Sequence, residues 1–158
     1  MASSGLSRTA KAVLALLALA AACVPCTGAM AAIGLPAWIR YVRRSEAVEA
    51  RTNLRLLMEA VDRSDGSVEL GPTPPLEGLG PPRPFADPAW AALDFAPLEP
   101  VRFSYRAHVD RAAGTARLEA IGDLDGDGVR SLFSVDGRLD PSSSSFTWDE
   151  LIAVEEME

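Results

Sequence analysis

Residues 32–63 read AIGLPAWIRYVRRSEAVEARTNLRLLMEAVDR, and the change of pattern inside this stretch decides the fold. It is uncharged up to Ile39, and from Arg40 onward charges appear at every turn. Ala47, Ala50, Leu54, Leu57, Met58 and Val61 then recur at steps of three and four, the spacing that lays one apolar stripe along a helix. Glu46, Glu49, Arg51, Arg55, Glu59 and Asp62 fill its other faces. Ser64-Asp65-Gly66 supplies the stop, with Gly66 expected in the left-handed conformation common just past a helix end.

Upstream, no residue from Ala12 to Ile39 is charged. Roughly 20 apolar residues cross a bilayer, whereas a cleaved signal peptide has an apolar core of only about 7 to 15. Residues 12–39 are therefore expected to form a retained membrane span that continues into an amphipathic half, residues 40–65. A helix from about Lys11 to Arg63 would be roughly 80 Å long. Trp38 and Tyr41, followed by Arg43 and Arg44, place amphipathic aromatics and snorkelling cations where the chain leaves the lipid. Residues 1–11 are assigned to a cytoplasmic tail, although Arg8 and Lys11 on one side and Arg40, Arg43 and Arg44 on the other leave the positive-inside count undecided. Two alternatives compete with a retained anchor. Ala29-Met30-Ala31 resembles a signal-peptidase site that would release a chain beginning at Ala32, and Leu19-Ala20-Ala21-Ala22 before Cys23 resembles a lipid-attachment box.

Downstream, proline recurs at 72, 74, 75, 81, 82, 84, 88, 97 and 100, a density that excludes helix interiors and central strands. Residues 66–100 are expected to form a connecting loop pinned by Phe85, Trp90 and Phe95. After Pro100 the period becomes two. Val101, Phe103, Tyr105 and Ala107 alternate with Arg102, Ser104, Arg106 and His108, and Ala113-Gly114 turns the chain into a second strand from Thr115 to Ile121. Val129 to Val135 predicts a third strand, and Phe146 to Val154 a fourth or a short closing element. Residues 101–158 thus form an antiparallel sheet, and laying it on the amphipathic helix buries both apolar faces in an α+β fold.

The chain has 158 residues and a net charge of −7, with no basic cluster after Arg44, which counts against a nucleic-acid partner. Its two cysteines, Cys23 and Cys26, lie inside the apolar run, so no disulfide framework holds the far domain. Cys23-Val24-Pro25-Cys26 has redox spacing without a thioredoxin-like context, and apolar packing is the expected role.

Ala32 to Tyr41, Arg43 to Ala47 and Glu49 to Leu54 resemble the N-terminal helix of type IV pilins around its mid-membrane proline, here Pro36. Trp90 to Pro100, Phe103-Ser104-Tyr105 and Gly122 to Val129 are similar to pilin-like proteins of deltaproteobacterial type, so the likeness covers most of residues 31–137. It implies a pilin-like or pseudopilin-like fold, with the long helix half in the bacterial inner membrane and the sheet domain periplasmic, or extracellular within a pilus. The partners it implies are membrane lipid and other pilin-like subunits or assembly proteins. The leader departs from the family. Counting back from Pro36 puts the prepilin junction near Leu14 and Ala15, with Leu19 where the family carries a glutamate. That carboxylate is thought to pair with a neighbouring subunit's amine in lipid, where an unpaired charge is costly. An accessory or tip component of a type IV pilus or type II secretion-like assembly is accordingly expected rather than a major subunit.

One cluster could hold a metal. Asp123, Asp125 and Asp127, followed by Gly128, have the spacing of a calcium loop, with Ser131 at its ninth position and Ser134 at its twelfth. The competing reading is a metal-free Asp/Gly hairpin turn. His108, the only histidine, has no cysteine partner outside the apolar run and is expected on a solvent face. Ser142 to Ser145 reads as a flexible turn. No catalytic residue, cofactor site or small-molecule substrate is assigned, and enzyme activity is not expected. A second functional reading is an exported calcium- or ligand-binding module with a cleaved signal peptide, or a lipoprotein.

Overall fold

The computed structural model describes residues 7–155, apart from the side chains at 20 and 22–27. The chain divides into two compact units, one ending at Tyr41 and the other beginning at Val42. Helix α1, Arg8–Arg63, runs through both. Ser7 caps its start, the Oγ accepting the Ala10 N–H at 3.2 Å and the carbonyl that of Lys11 at 3.0 Å. Residues 8–11, expected in a tail, are therefore the first helical turn.

In the first unit Leu16, Leu17, Met30, Ile33, Leu35 and Trp38 are all more than half exposed. Trp38 and Tyr41 sit with ring centroids 6.0 Å apart. Among the described residues no helix is long and apolar enough to cross a membrane.

In the second unit the helix stripe packs on a six-stranded antiparallel sheet. Its strands are β1 (Val68–Thr73), β2 (Ser104–Asp110), β3 (Thr115–Gly122), β4 (Ser131–Leu139), β5 (Phe146–Trp148) and β6 (Ile152–Val154). The order is β1-β2-β3-β4, and both β5 and β6 pair with β4. The α+β fold with a long helix and an antiparallel sheet is therefore as expected. Several boundaries are not. Residues 66–100 are not only a loop: they contribute β1, and a 3₁₀ helix, Pro88–Leu93. Strand β1 tolerates Pro72 because it is an edge strand whose register shifts between Leu70 and Thr73. The 3₁₀ helix starts where Asp87 accepts the Ala89 N–H at 2.9 Å, with Pro88 first inside. The third expected strand is displaced from 129–135 to Ser131–Leu139, because Val129 and Arg130 belong to the preceding hairpin loop. Gly66 lies outside the left-handed region. The end of α1 does not need it: Ser64 N–H bonds the Ala60 and Val61 carbonyls, and the Ser64 hydroxyl and the Arg111 guanidinium both donate to Val61 O.

Ala47, Ala50, Leu54, Leu57 and Val61 are fully buried against Tyr105, Ala107, Leu118, Ala120 and Phe133. The proline-rich segment is pinned as expected, with Phe85, Trp90 and Phe95 in edge-to-face or tilted contact and with Phe85 and Phe95 also against Tyr105. The Phe103 ring packs against Gly122, where an added Cβ would stand 2.5 Å from its nearest atom.

Candidate functional site

Asp123, Asp125 and Asp127 do come together, with carboxylate oxygens all within 4.8 Å of one another. They occupy the loop joining β3 to β4, and Gly126 and Gly128 take positive φ values of 76° and 94° to make its turns. The loop uses the carboxylates itself. Asp123 accepts the N–H groups of Gly126 at 2.7 Å and Gly128 at 3.1 Å, Asp125 that of Asp127 at 3.2 Å, and Asp127 that of Val129 at 2.7 Å. Arg43 of α1 reaches Asp125 Oδ2 at 2.9 Å. Ser131 and Ser134 are buried in β4, opposite Gly122 and Glu119 respectively, so the last two positions of a calcium loop are spent on a strand. The arrangement is a braced hairpin, and a cation entering it would compete with the Arg43 guanidinium for Asp125.

A second polar cluster joins α1 to the start of β2. Glu49 takes the Arg102 N–H at 3.0 Å and the Tyr105 hydroxyl at 3.2 Å, and Asn53 donates to the same hydroxyl at 2.8 Å. Arg102 also pairs with Glu46 at 2.9 Å and donates to the Gly80 carbonyl at 3.1 Å. Burial pushes the Glu49 carboxyl above its ordinary range against the opposing pull of these donors, and burial together with the Glu49 charge pushes the Tyr105 hydroxyl up. Arg43, Glu46 and Glu49 stand three residues apart, so they share one flank of the helix.

Beside this cluster a cleft of about 530 Å³ opens between α1 and residues 94–101, with Glu49 and Asn53 on its floor. Leu56 and Leu98 flank it, and Asp94, Glu99 and Arg63 supply its charges. Its volume suits a side chain or small ligand.

His108 is solvent-facing as expected and pairs across the strands with Glu69. Ser142 donates to Asp140 at 2.7 Å and, with its backbone N–H, at 2.8 Å. Cys23 and Cys26 lie within α1, with side chains outside the described set.

The chain matches no known protein family, no curated protein and no solved structure.

The Glu49 cluster and the cleft are invisible to local pattern reading. Glu46 and Glu49 read as solvent-facing helix residues, and their partners stand more than fifty positions away. The one available signal is Tyr105, a hydroxyl on the buried face of a strand, which calls for a hydrogen-bond partner.

Proposed function

We propose that the protein is a pilin-like structural or accessory component of a type IV pilus or type II secretion-like assembly, acting through packing and surface contact rather than catalysis. Its N-terminal helix anchors it in the bacterial inner membrane through the uncharged run 12–39, whose side chains at 20 and 22–27 fall outside the described residues in which no membrane-crossing helix is found, with residues 42–158 on the periplasmic side. The observation that carries this reading is α1 itself. One helix from Arg8 to Arg63 holds an uncharged stretch with large apolar side chains exposed, then buries a narrow apolar stripe on an antiparallel sheet. Apolar side chains exposed over so long a stretch fit lipid or neighbouring helices better than water. The test is alkaline extraction of membranes from the native host followed by N-terminal sequencing. An integral chain with its N-terminus upstream of Ala32 is expected. A soluble chain beginning at Ala32 would sink the proposal, and a lipid-modified Cys23 would replace it with a lipoprotein.

The second reading, an exported calcium-binding module, is favoured by one observation, the convergence of Asp123, Asp125 and Asp127. Calcium at millimolar concentration should then raise the melting temperature of the full chain, and more so after Arg43→Ala removes the competing guanidinium. An unchanged melting temperature in both chains leaves the loop as a hairpin brace.

A further inference from the structure

The Glu49 carboxylate is surrounded by hydrogen-bond donors, yet it has no ion pair among the described residues. Arg102, beside it, spends its guanidinium on Glu46 at 2.9 Å and on the Gly80 carbonyl at 3.1 Å. What reaches Glu49 is the Arg102 backbone N–H at 3.0 Å, a weaker pull from the Phe103 N–H, and the Tyr105 hydroxyl at 3.2 Å. Neutral donors leave the charge in place, and burial penalises it. One turn further along α1, Asn53 donates one amide N–H to Tyr105, and its Oδ1 accepts nothing from the described residues. Both side chains lie on the floor of the 530 Å³ cleft.

The rest of the cleft divides into aliphatic walls and a charged rim. Leu56 and Pro97 line it beside Leu98, which is fully exposed (101%). Asp94 and Glu99 stand exposed on the rim, and neither forms an ion pair with a described residue. Arg63 also borders the cleft, but it pairs with Glu59 at 3.9 Å, and its backbone stands about 21 Å along the helix from Glu49. Charges that far apart are largely screened in salt, whose Debye length at 0.1 M is about 10 Å. Around Glu49 the cleft is therefore acidic, with apolar surface leading out to solvent.

We propose that this cleft binds an organic cation, a primary ammonium or guanidinium on an aliphatic stem, with its head on Glu49 and the Asn53 amide oxygen and its stem along Leu56, Pro97 and Leu98. A charged N–H donor supplies what the floor lacks, since hydrogen bonds to a half-buried carboxylate are strongest when the donor is itself charged. A bare metal ion would find a single carboxylate on the floor and gain nothing from the aliphatic walls. The cation can be a free amine or the side chain of a lysine or arginine on another protein. Every residue of the cleft lies within 42–158, so the inference does not rest on the membrane anchor.

The test is titration of the full chain in detergent with n-butylammonium chloride, followed by NMR of the Arg102 backbone amide and the Asn53 side-chain amide. Both signals should shift and saturate, whereas 1-butanol and potassium chloride at the same concentrations should leave them in place. Glu49→Gln should weaken binding about tenfold. Leu98→Ser, at a fully exposed position where folding is not at stake, should weaken n-butylammonium about threefold and leave methylammonium unchanged. Where Glu49→Gln does not fold, Leu98→Ser decides. N-acetyl-lysine methylamide separates the two sources: binding tighter than n-butylammonium assigns the cleft to a basic side chain of another protein, and weaker binding assigns it to a free amine. No saturable shift with either cation, an equal shift with 1-butanol or potassium chloride, or an affinity that either substitution leaves unchanged overturns the proposal. Partition of the same protein between membrane and soluble fractions reads the anchor separately, and neither result bears on the cleft.

Discussion

Within the second unit, α1 is held by two different kinds of contact. From Arg43 to Asn53 only alanines, Ala47 and Ala50, are buried against the sheet, and the rest of the attachment is polar: Arg43 to Asp125, Glu46 to Arg102, Glu49 to the Arg102 N–H and Asn53 to Tyr105. From Leu54 to Val61 the attachment is apolar, and Leu54, Leu57 and Val61 are wholly buried. Buried aliphatic area stabilises by removal from water, whereas an ion pair recovers little beyond the hydration it gives up. The apolar half should therefore carry most of the folding energy, and the polar half the position of the β2 start and of the β3–β4 hairpin relative to the helix.

The contrast can be broken by substitution. Leu57→Ala empties a fully buried site and should cost about 2–5 kcal/mol in denaturant unfolding. A cost under about 1 kcal/mol would mean that the apolar half is not the main anchor. Gly122→Ala pushes a methyl into the Phe103 ring, on the sheet side of the same core, and should cost about 1–3 kcal/mol.

Glu49 sharpens the contrast through pH. Its folded carboxyl binds a proton more tightly than the unfolded one, whose ordinary value is 4.5, because burial penalises the charge. Its contribution to stability is thus fully present below 4.5 and lost as pH rises through the folded value. Glu49→Gln should remove that part of the slope in melting temperature against pH, and a slope unchanged by the substitution would show that Glu49 is not its source. Asp140 has the opposite sign, since hydrogen bonds from Ser142 hold its carboxyl low and its contribution fades on acidification. Arg43→Ala, on a partly exposed pair, should cost no more than about 1 kcal/mol. A larger loss would show that the hairpin brace stabilises the whole unit.

Much of the fold could be read from local pattern. The helical stripe from Ala47 to Val61 and the alternation through Tyr105 to Ala120 each report a single buried face, and burial of that face is what the pattern encodes. Strand β1 was hidden because Pro72 and Pro74 mask a strand that needs pairing on one side only. The 3₁₀ helix left a readable mark in Asp87-Pro88, a capping residue followed by proline, that the overall proline density overrode. The acidic cluster was legible as spacing, but its service to its own loop's N–H groups was not, because a calcium loop and an Asx-turn hairpin use the same residues.

By itself the sequence determined the long helix, the antiparallel sheet after Pro100 and the convergence of three aspartates, since each follows from contacts between residues close along the chain. Only the tertiary structure decided that Glu49 is half-buried under Tyr105, that Arg43 reaches Asp125, and that a cleft opens beside Leu56. Those features join residues from distant parts of the chain, and which distant surfaces meet is settled by the packing of the whole core, a condition that no local period contains.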